Sequence, residues 1–328
     1  MLQHFSIAGS GLHLPKRRLT AEDVDRRASV PHGWTRAHVG VLERYECAAP
    51  ETLATMACAA IAGAMADASL QWSDIDLIVD ASNCRHQPIP CNAAYLQSEL
   101  GAGAEGIPCL DVQSTCLGFI VALHVANGLF AVGGYRHILI VCSEQALLGV
   151  DWNEPESACL MGDGAAAVVL RQAQPVPGYF YAQETFGQHR DTCHIRGGGH
   201  VLPVTSYTPE RESEFRFHMD GPQLMRTAAR YLPPMTERLI EEAGVPREEL
   251  RVIPHQASPR GLGIMLRLLR IRAERFENRV ATMGNLISAS VPAVLHQCRA
   301  EKITAPGDAI LLLGTSAGYS QAGLIFRM

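Results

Sequence analysis

Charge and aromatic residues are scarce in this sequence. Asp, Glu, Lys and Arg make up 19% of its 328 residues, and Phe, Trp and Tyr only 6%. With 47% hydrophobic residues, the chain fits a compact protein with much of its length inside, and with room for a subunit interface. There is no basic excess. A net charge of −5 excludes bulk nucleic-acid binding, which needs cations to neutralise phosphates. Met1–Ile7 shows no basic region followed by a long apolar run, so no signal peptide is expected. No apolar stretch approaches the ~20 uninterrupted residues of a membrane span. None of the ten cysteines forms a CxxC pair, and Cys58, Cys109, Cys142 and Cys298 sit in apolar segments. Free, buried thiols in a reducing cytoplasm are the expectation, so the protein is read as cytoplasmic. The length suggests one or two domains at roughly 150 residues each.

What the sequence does contain is a repeat. Shifted by 172 positions, Cys116–Ser143 superimposes on Ser288–Thr315 without a gap, with Leu123-His124 on Leu295-His296 and Ile138–Val141 on Ile310–Leu313. A second pair, Ala68–Val79 and Ala243–Pro254, matches at an offset of 175. Each segment alternates apolar helix and short apolar strand, the pattern of parallel-rich sheets covered on both faces. Two such halves predict a layered α/β/α/β/α architecture. The boundary is placed near Arg171–Gly178, where two prolines end the apolar run Ala165–Leu170, giving halves 1–174 and 175–328.

Cys116 is the candidate nucleophile. Ile107–Val112 has the pattern of a strand, Gln113-Ser114-Thr115 that of a short connection, and Cys116–Val132 that of a helix apolar all round and therefore buried. A thiol at such a strand-to-helix turn meets unsatisfied N–H groups and partial positive charge, which predicts a lowered pKa and a thiolate. Cys142 occupies the place of Gly314 in the other half; it and the remaining cysteines are read as small buried hydrophobes. In the second half, His255 follows the apolar stretch Val252–Pro254, where it can serve as a neutral donor or a base. Asn285 precedes the helical stretch Ser288–Arg299 and can donate its amide N–H to a substrate carbonyl. A Cys-His-Asn set suits acyl transfer. Papain-like proteases carry such a set too, but with the cysteine near the mature N-terminus.

Six segments then resemble the 3-oxoacyl-[acyl-carrier-protein] synthase III family of thiolase-fold condensing enzymes. They are Asp111–Phe119, Met161–Leu170, Phe217–Gly221, Pro254–Ser258, Met283–Leu295 and Gly314–Met328, in order along nearly the whole chain. The resemblance implies a five-layered αβαβα fold and a two-step condensation without metal or other cofactor. Cys116 would take an acyl group from an acyl thioester, borne by coenzyme A or by acyl carrier protein. His255 and Asn285 would then bind the carbonyl of a malonyl-type thioester as CO₂ leaves, and the enolate would attack the acyl-Cys116. The backbone N–H groups of Cys116 and Ala317 would match the oxyanion hole, Trp34 the aromatic residue at the tunnel mouth, and Arg260 a carrier-docking arginine. A helix over Leu262–Arg275, with Arg267, Arg270 and Arg272, would add a basic face for an acidic carrier. Ile89 would match a loop residue that crosses to the partner's acyl pocket in a homodimer, and Gly187–His218 would cover the acyl site.

Some positions depart from that family. His38 stands where the family carries an arginine, which bears on coenzyme A binding. Leu286 and Ile287 replace polar residues after Asn285, and Thr115 replaces a small apolar residue. These changes point to a specialised synthase of a lipid or secondary-metabolite pathway. The alternatives are acyl transfer to a hydroxyl or amine, non-decarboxylative condensation of two acyl thioesters, and, in another class, a non-catalytic subunit of a heterodimer. His189, Cys193, His194 and His200 match no metal-ligand spacing, so no metal is expected.

Overall fold

Short strands without a polar face form the centre of this chain, and they assemble into two sheets. The computed structural model describes residues 1–328. The first sheet holds β1 (Leu2–His13), β2 (Leu77–Asp80), β3 (Cys109–Asp111), β4 (His137–Gln145) and β5 (Asp163–Pro177), in the order β1-β5-β4-β2-β3. The second holds β6 (Phe180–Thr185), β7 (Arg251–Pro254), β8 (Ala309–Ser316) and β9 (Ser320–Arg327), in the order β6-β9-β8-β7. The two share one scheme: a parallel pair at the core, β2 with β4 and β7 with β8, followed by two antiparallel neighbours. In the second sheet the counterpart of β3 has shrunk to one bridge, Val252 with Phe276.

Alternation along the strands builds the layers. Ile138, Ile140 and Cys142 of β4 and Ile310 and Leu312 of β8 face a shared central core. Leu139 and Val141 face outward onto α1 (Leu53–Ala68), while Leu311 and Leu313 face outward onto α3 (Gly221–Ala243) and α4 (Pro259–Leu269). Between the sheets lie α2 (Gly118–Val132) and α5 (Ser290–Ala300), which completes the thiolase-like five-layered α/β architecture. Each fully buried Leu, Ile or Phe there contributes about 1.5–3 kcal/mol by leaving water. The span Thr115–Val132 has the length and apolarity of a membrane-crossing helix, but it is the central helix of this core. Close approach on the outer face depends on glycine. A Cβ on Gly11 would stand 2.1 Å from the Ala60 carbonyl oxygen and one on Gly9 2.3 Å from that of Ala64, so β1 lies directly on the alanine-rich α1.

The register of the sheets refines the repeat. Leu77 pairs with Ile138 and Arg251 with Ile310, so the two parallel pairs correspond at an offset of 174 for β2 and β7, one less than the sequence match suggested, and 172 for β4 and β8. The strand expected to end near Arg171 continues to Pro177. Beyond Arg171 only β1 pairs with it, so Pro175 and Pro177 leave no ladder bond unmade. The chain turns into the second sheet at Gly178, where φ is 112°.

Candidate active site

Two equivalent turns, one from each half, converge between the sheets. Each is a 3₁₀ turn, Thr115–Leu117 before α2 and Ile287–Ala289 before α5. Both begin with a β-branched residue at a left-handed φ of 46°, Thr115 and Ile287, which are themselves 172 positions apart. That conformation is strained for such side chains, and its recurrence marks a geometry that the fold holds in both halves. In the first turn the next residue is Cys116; in the second it is Ser288.

The thiol of Cys116 departs from the expected thiolate. Burial pushes its pKa up to about 12, and the nearby Glu144 and Cys193 add to the rise. The backbone N–H groups of Cys116 and Ala317 act the other way, as donors aimed at the sulfur, but they do not outweigh the loss of water. At rest the Cys116 side chain is a thiol.

His255 is placed by β7, whose pairing with β8 continues through the His255 N–H to the Leu313 carbonyl at 2.7 Å. It is 3% exposed. Burial holds its imidazole neutral, with a pKa lowered to about 4, and no partner reaches Nδ1. The imidazole is thus a neutral hydrogen-bonding group across the physiological range. Gly314 makes this packing possible: a Cβ there would lie 3.0 Å from both the His255 Cβ and the Leu117 Cδ2, so the glycine separates the imidazole from the nucleophile turn by the least possible bulk.

Asn285 is oriented by its own turn. Its Oδ1 accepts the Ile287 N–H at 2.9 Å, which leaves Nδ2, 3.3 Å from the Ala257 carbonyl, as the donor side. Its backbone is pinned by Leu160 and Gly162, with the Asn285 N–H donating to the Leu160 carbonyl at 2.9 Å and the Gly162 N–H donating to the Asn285 carbonyl at 3.1 Å.

Cys116, His255, Asn285 and Ala317 line one cavity of about 1130 Å³, which also reaches Trp34, His38 and Arg260. Trp34 precedes a tight helical turn, Thr35–Val39, and the carboxylate of Asp25 fixes it by accepting the N–H groups of Gly33 at 2.6 Å and Thr35 at 2.8 Å. The His38 ring stacks on Trp34 at 4.8 Å and 16°. Cys193, Ile195 and Phe217, from the stretch expected to cover the site, contribute apolar wall. Ile89 lies outside this cavity and is 83% exposed, on the loop between β2 and β3. Cys142 is fully buried and does not line the cavity.

One expectation about the basic face needs correction. The helix over Leu262–Arg275 is instead α4, which starts at Pro259 and stops at Leu269, with Arg270 as a left-handed cap at φ 54°. Arg272 and Arg275 therefore lie beyond the helix, so the basic face is a short helix plus a following turn. In the 187–218 stretch His189 packs among Tyr231 and Tyr319, and His194 lies 3.0 Å from the Asp191 carbonyl. Among the buried groups, Glu144 went unnoticed in the sequence. It is the only acidic residue closing the apolar run Ile138–Cys142, and a carboxylate there is a readable signal of a buried polar anchor.

The models for 3-oxoacyl-[acyl-carrier-protein (ACP)] synthase III and for its C-terminal region match residues 110–183 and 240–328. The beta-ketoacyl-[acyl-carrier-protein] synthase III of Bordetella petrii is 32% identical over 98% of this chain and 97% of its own. The crystal structure of the Aquifex aeolicus 3-oxoacyl-[acyl-carrier-protein] synthase III is 28% identical and superimposes with a TM-score of 0.87 over 99% of this chain and all of that one. The priming beta-ketosynthase of the R1128 polyketide biosynthetic pathway is 25% identical, with a TM-score of 0.88 over 100% of this chain and 97% of its own. This thiolase-fold chain, with its paired turns around one cavity, belongs to the 3-oxoacyl-[acyl-carrier-protein] synthase III family.

Proposed function

We propose that the protein is a condensing enzyme that forms an acyl thioester on Cys116 and extends it with a malonyl-type thioester. The observation that carries this reading is the convergence of Cys116, His255, Asn285 and Ala317 on one cavity between the sheets. In the first step the Cys116 sulfur bonds to the acyl carbon and the carrier leaves as a thiol, taking the proton that Cys116 gives up. The tetrahedral oxyanion faces the N–H groups of Cys116, in the turn before α2, and Ala317, in the turn between β8 and β9, donors worth roughly 3 kcal/mol each. In the second step the imidazole of His255 and the amide of Asn285 donate to the thioester carbonyl of the malonyl group. CO₂ leaves, the enolate attacks the acyl-Cys116 carbonyl and expels the sulfur as a thiolate, the β-ketoacyl thioester departs, and a proton from water restores the Cys116 thiol. A neutral imidazole suits this role, since it donates one hydrogen bond without bringing a charge into the cavity.

The surroundings support acyl carrier protein as a partner. Arg260 stands at the cavity with no carboxylate bound to it, and Arg267 lies in the last turn of the same helix. An acidic carrier would meet this face, with its thioester arm passing Trp34. Ile89 and the free edge of β3, where Leu110 is 38% exposed, support a homodimer in which one protomer's loop approaches the other's site. The apolar Ile287 and Leu148 lining the cavity support an acyl substrate of a specialised lipid or secondary-metabolite pathway. Intact-mass measurement after incubation with a panel of acyl thioesters tests the reading. Wild type gains the acyl mass and Cys116→Ala does not; adding malonyl carrier protein then yields CO₂ and a carbon–carbon bond. An adduct that persists in Cys116→Ala overturns the assignment of the nucleophile, and rapid priming of ordinary fatty-acid synthesis from acetyl-coenzyme A overturns the specialised pathway.

A further inference from the structure

Glu144 lies in β4, two residues beyond Cys142, and has no exposed surface. Its Oε1 accepts the Asn83 N–H at 2.7 Å and the Ser288 hydroxyl, and its Oε2 accepts the Cys84 N–H at 2.9 Å. These partners are neutral, so a buried carboxylate is held by dipoles without a counter-ion, an expensive arrangement to keep unless it serves something. Its partners come from the two halves of the chain. Asn83 and Cys84 follow β2 in the first half and line the cavity, as does Arg85 beyond them. Ser288 belongs to the second half and comes three residues after Asn285. A Cβ on Gly118 would touch the Ser288 Cβ at 3.4 Å, which places Ser288 where the two converging turns meet. Ser288 is also the repeat counterpart of Cys116.

We propose that Glu144 is a positioning residue that ties the Asn83–Cys84 loop to the Ser288 turn and thereby holds the Asn285 amide at its working distance from Cys116. The role rests on the condensing function proposed above and concerns its second step. Asn285 is fixed at one side by the Ile287 N–H, and Ile287 is held in its left-handed conformation. The Ser288 hydroxyl is the side-chain tether of that strained turn to the first half, and Glu144 is what receives it. The charge has a second consequence, because it opposes ionisation of the Cys116 thiol. Removing the tether therefore loosens the site of the malonyl thioester without impeding acylation, and removing the Glu144 charge as well eases ionisation of Cys116.

The test uses Ser288→Ala, Ser288→Thr and Glu144→Gln in the full-length protein, with Cys116 acylation followed by intact mass and condensation followed as kcat and KM for the malonyl thioester. Ser288→Ala and Glu144→Gln are expected to acylate Cys116 at the wild-type rate or faster while condensation kcat falls more than tenfold with KM changed less than threefold. Ser288→Thr, which restores the hydroxyl, is expected to recover at least half of the lost kcat. The proposal is overturned if Ser288→Ala keeps condensation kcat within twofold of wild type, if both steps slow equally, or if threonine rescues nothing. Ser288→Ala removes one oxygen atom and decides the matter even if Glu144→Gln does not fold. Wild type that acylates Cys116 but makes no carbon–carbon bond would instead overturn the condensing function itself.

Discussion

The burial of His255 has a measurable energetic signature. Its pKa is lowered from 6.5 to about 4. Above pH ~6.5 the imidazole is neutral in both folded and unfolded chains, and its titration contributes nothing to the pH dependence of stability. Below that pH the unfolded chain binds a proton that the folded one refuses, so stability falls until about pH 4 and then levels off. At 1.36 kcal/mol per pKa unit the full loss is about 3 kcal/mol, of which about 2 kcal/mol has appeared by pH 5. The perturbation is His255→Asn, which removes the titrating group, and the assay is urea unfolding of both proteins at pH 7.5 and pH 5.0. The fixed cost of the substitution cancels when each protein is compared with itself. Wild type is expected to lose about 2 kcal/mol more than the variant between the two pH values. Other buried groups, such as Asp80 and Asp163, whose pKa values burial raises to about 7, act in both proteins alike. A difference under ~0.5 kcal/mol, or one of opposite sign, would refute the claim of an imidazole kept neutral by burial.

Other expectations follow from the same site. Because the Cys116 thiol titrates at about 12, its acylation rate should rise close to tenfold per pH unit from pH 7 to 9 in stopped-flow or quenched mass measurements; a plateau near pH 7 would contradict the resting thiol. Gly314→Ala places a methyl 3.0 Å from the His255 and Leu117 side chains. It should cost about 1–3 kcal/mol in denaturant unfolding and lower condensation kcat roughly tenfold or more as the imidazole shifts. Asp25→Ala leaves the N–H groups of Gly33 and Thr35 without their acceptor. It should cost about 1–3 kcal/mol and redden the emission of Trp34, whereas an unchanged spectrum would mean that other contacts hold the tryptophan turn.

Much of the fold was legible because duplication repeats an error-tolerant pattern. Apolar strands between helices occur twice, and the match of Cys116–Ser143 to Ser288–Thr315 has the register seen in the sheets. The second match slipped by one residue because the segments Ala68–Val79 and Ala243–Pro254 share a pattern of turn and strand but few side chains, and only ladder bonds set register. The end of α4 was misplaced because Arg270 caps the helix in a left-handed conformation normally given to glycine or asparagine. Cys116 and His255 were read from their places after strands and Asn285 from its place before a helix, whereas Trp34, His38, Arg260 and Ala317 came from the family resemblance. The charge state of Cys116 was not legible, since a helix N-terminus and burial act in opposite directions and sequence reveals only the first. Glu144 escaped for a related reason: its meaning lies in Asn83, Cys84 and Ser288, which are distant along the chain.

The matched strain at Thr115 and Ile287 bears on the ancestry of the molecule. A conformation that costs energy and recurs at the same place in both halves is what duplication of one unit would leave behind. The two copies differ at the very next residue, which carries sulfur in Cys116 and oxygen in Ser288, so one backbone geometry presents two different chemistries.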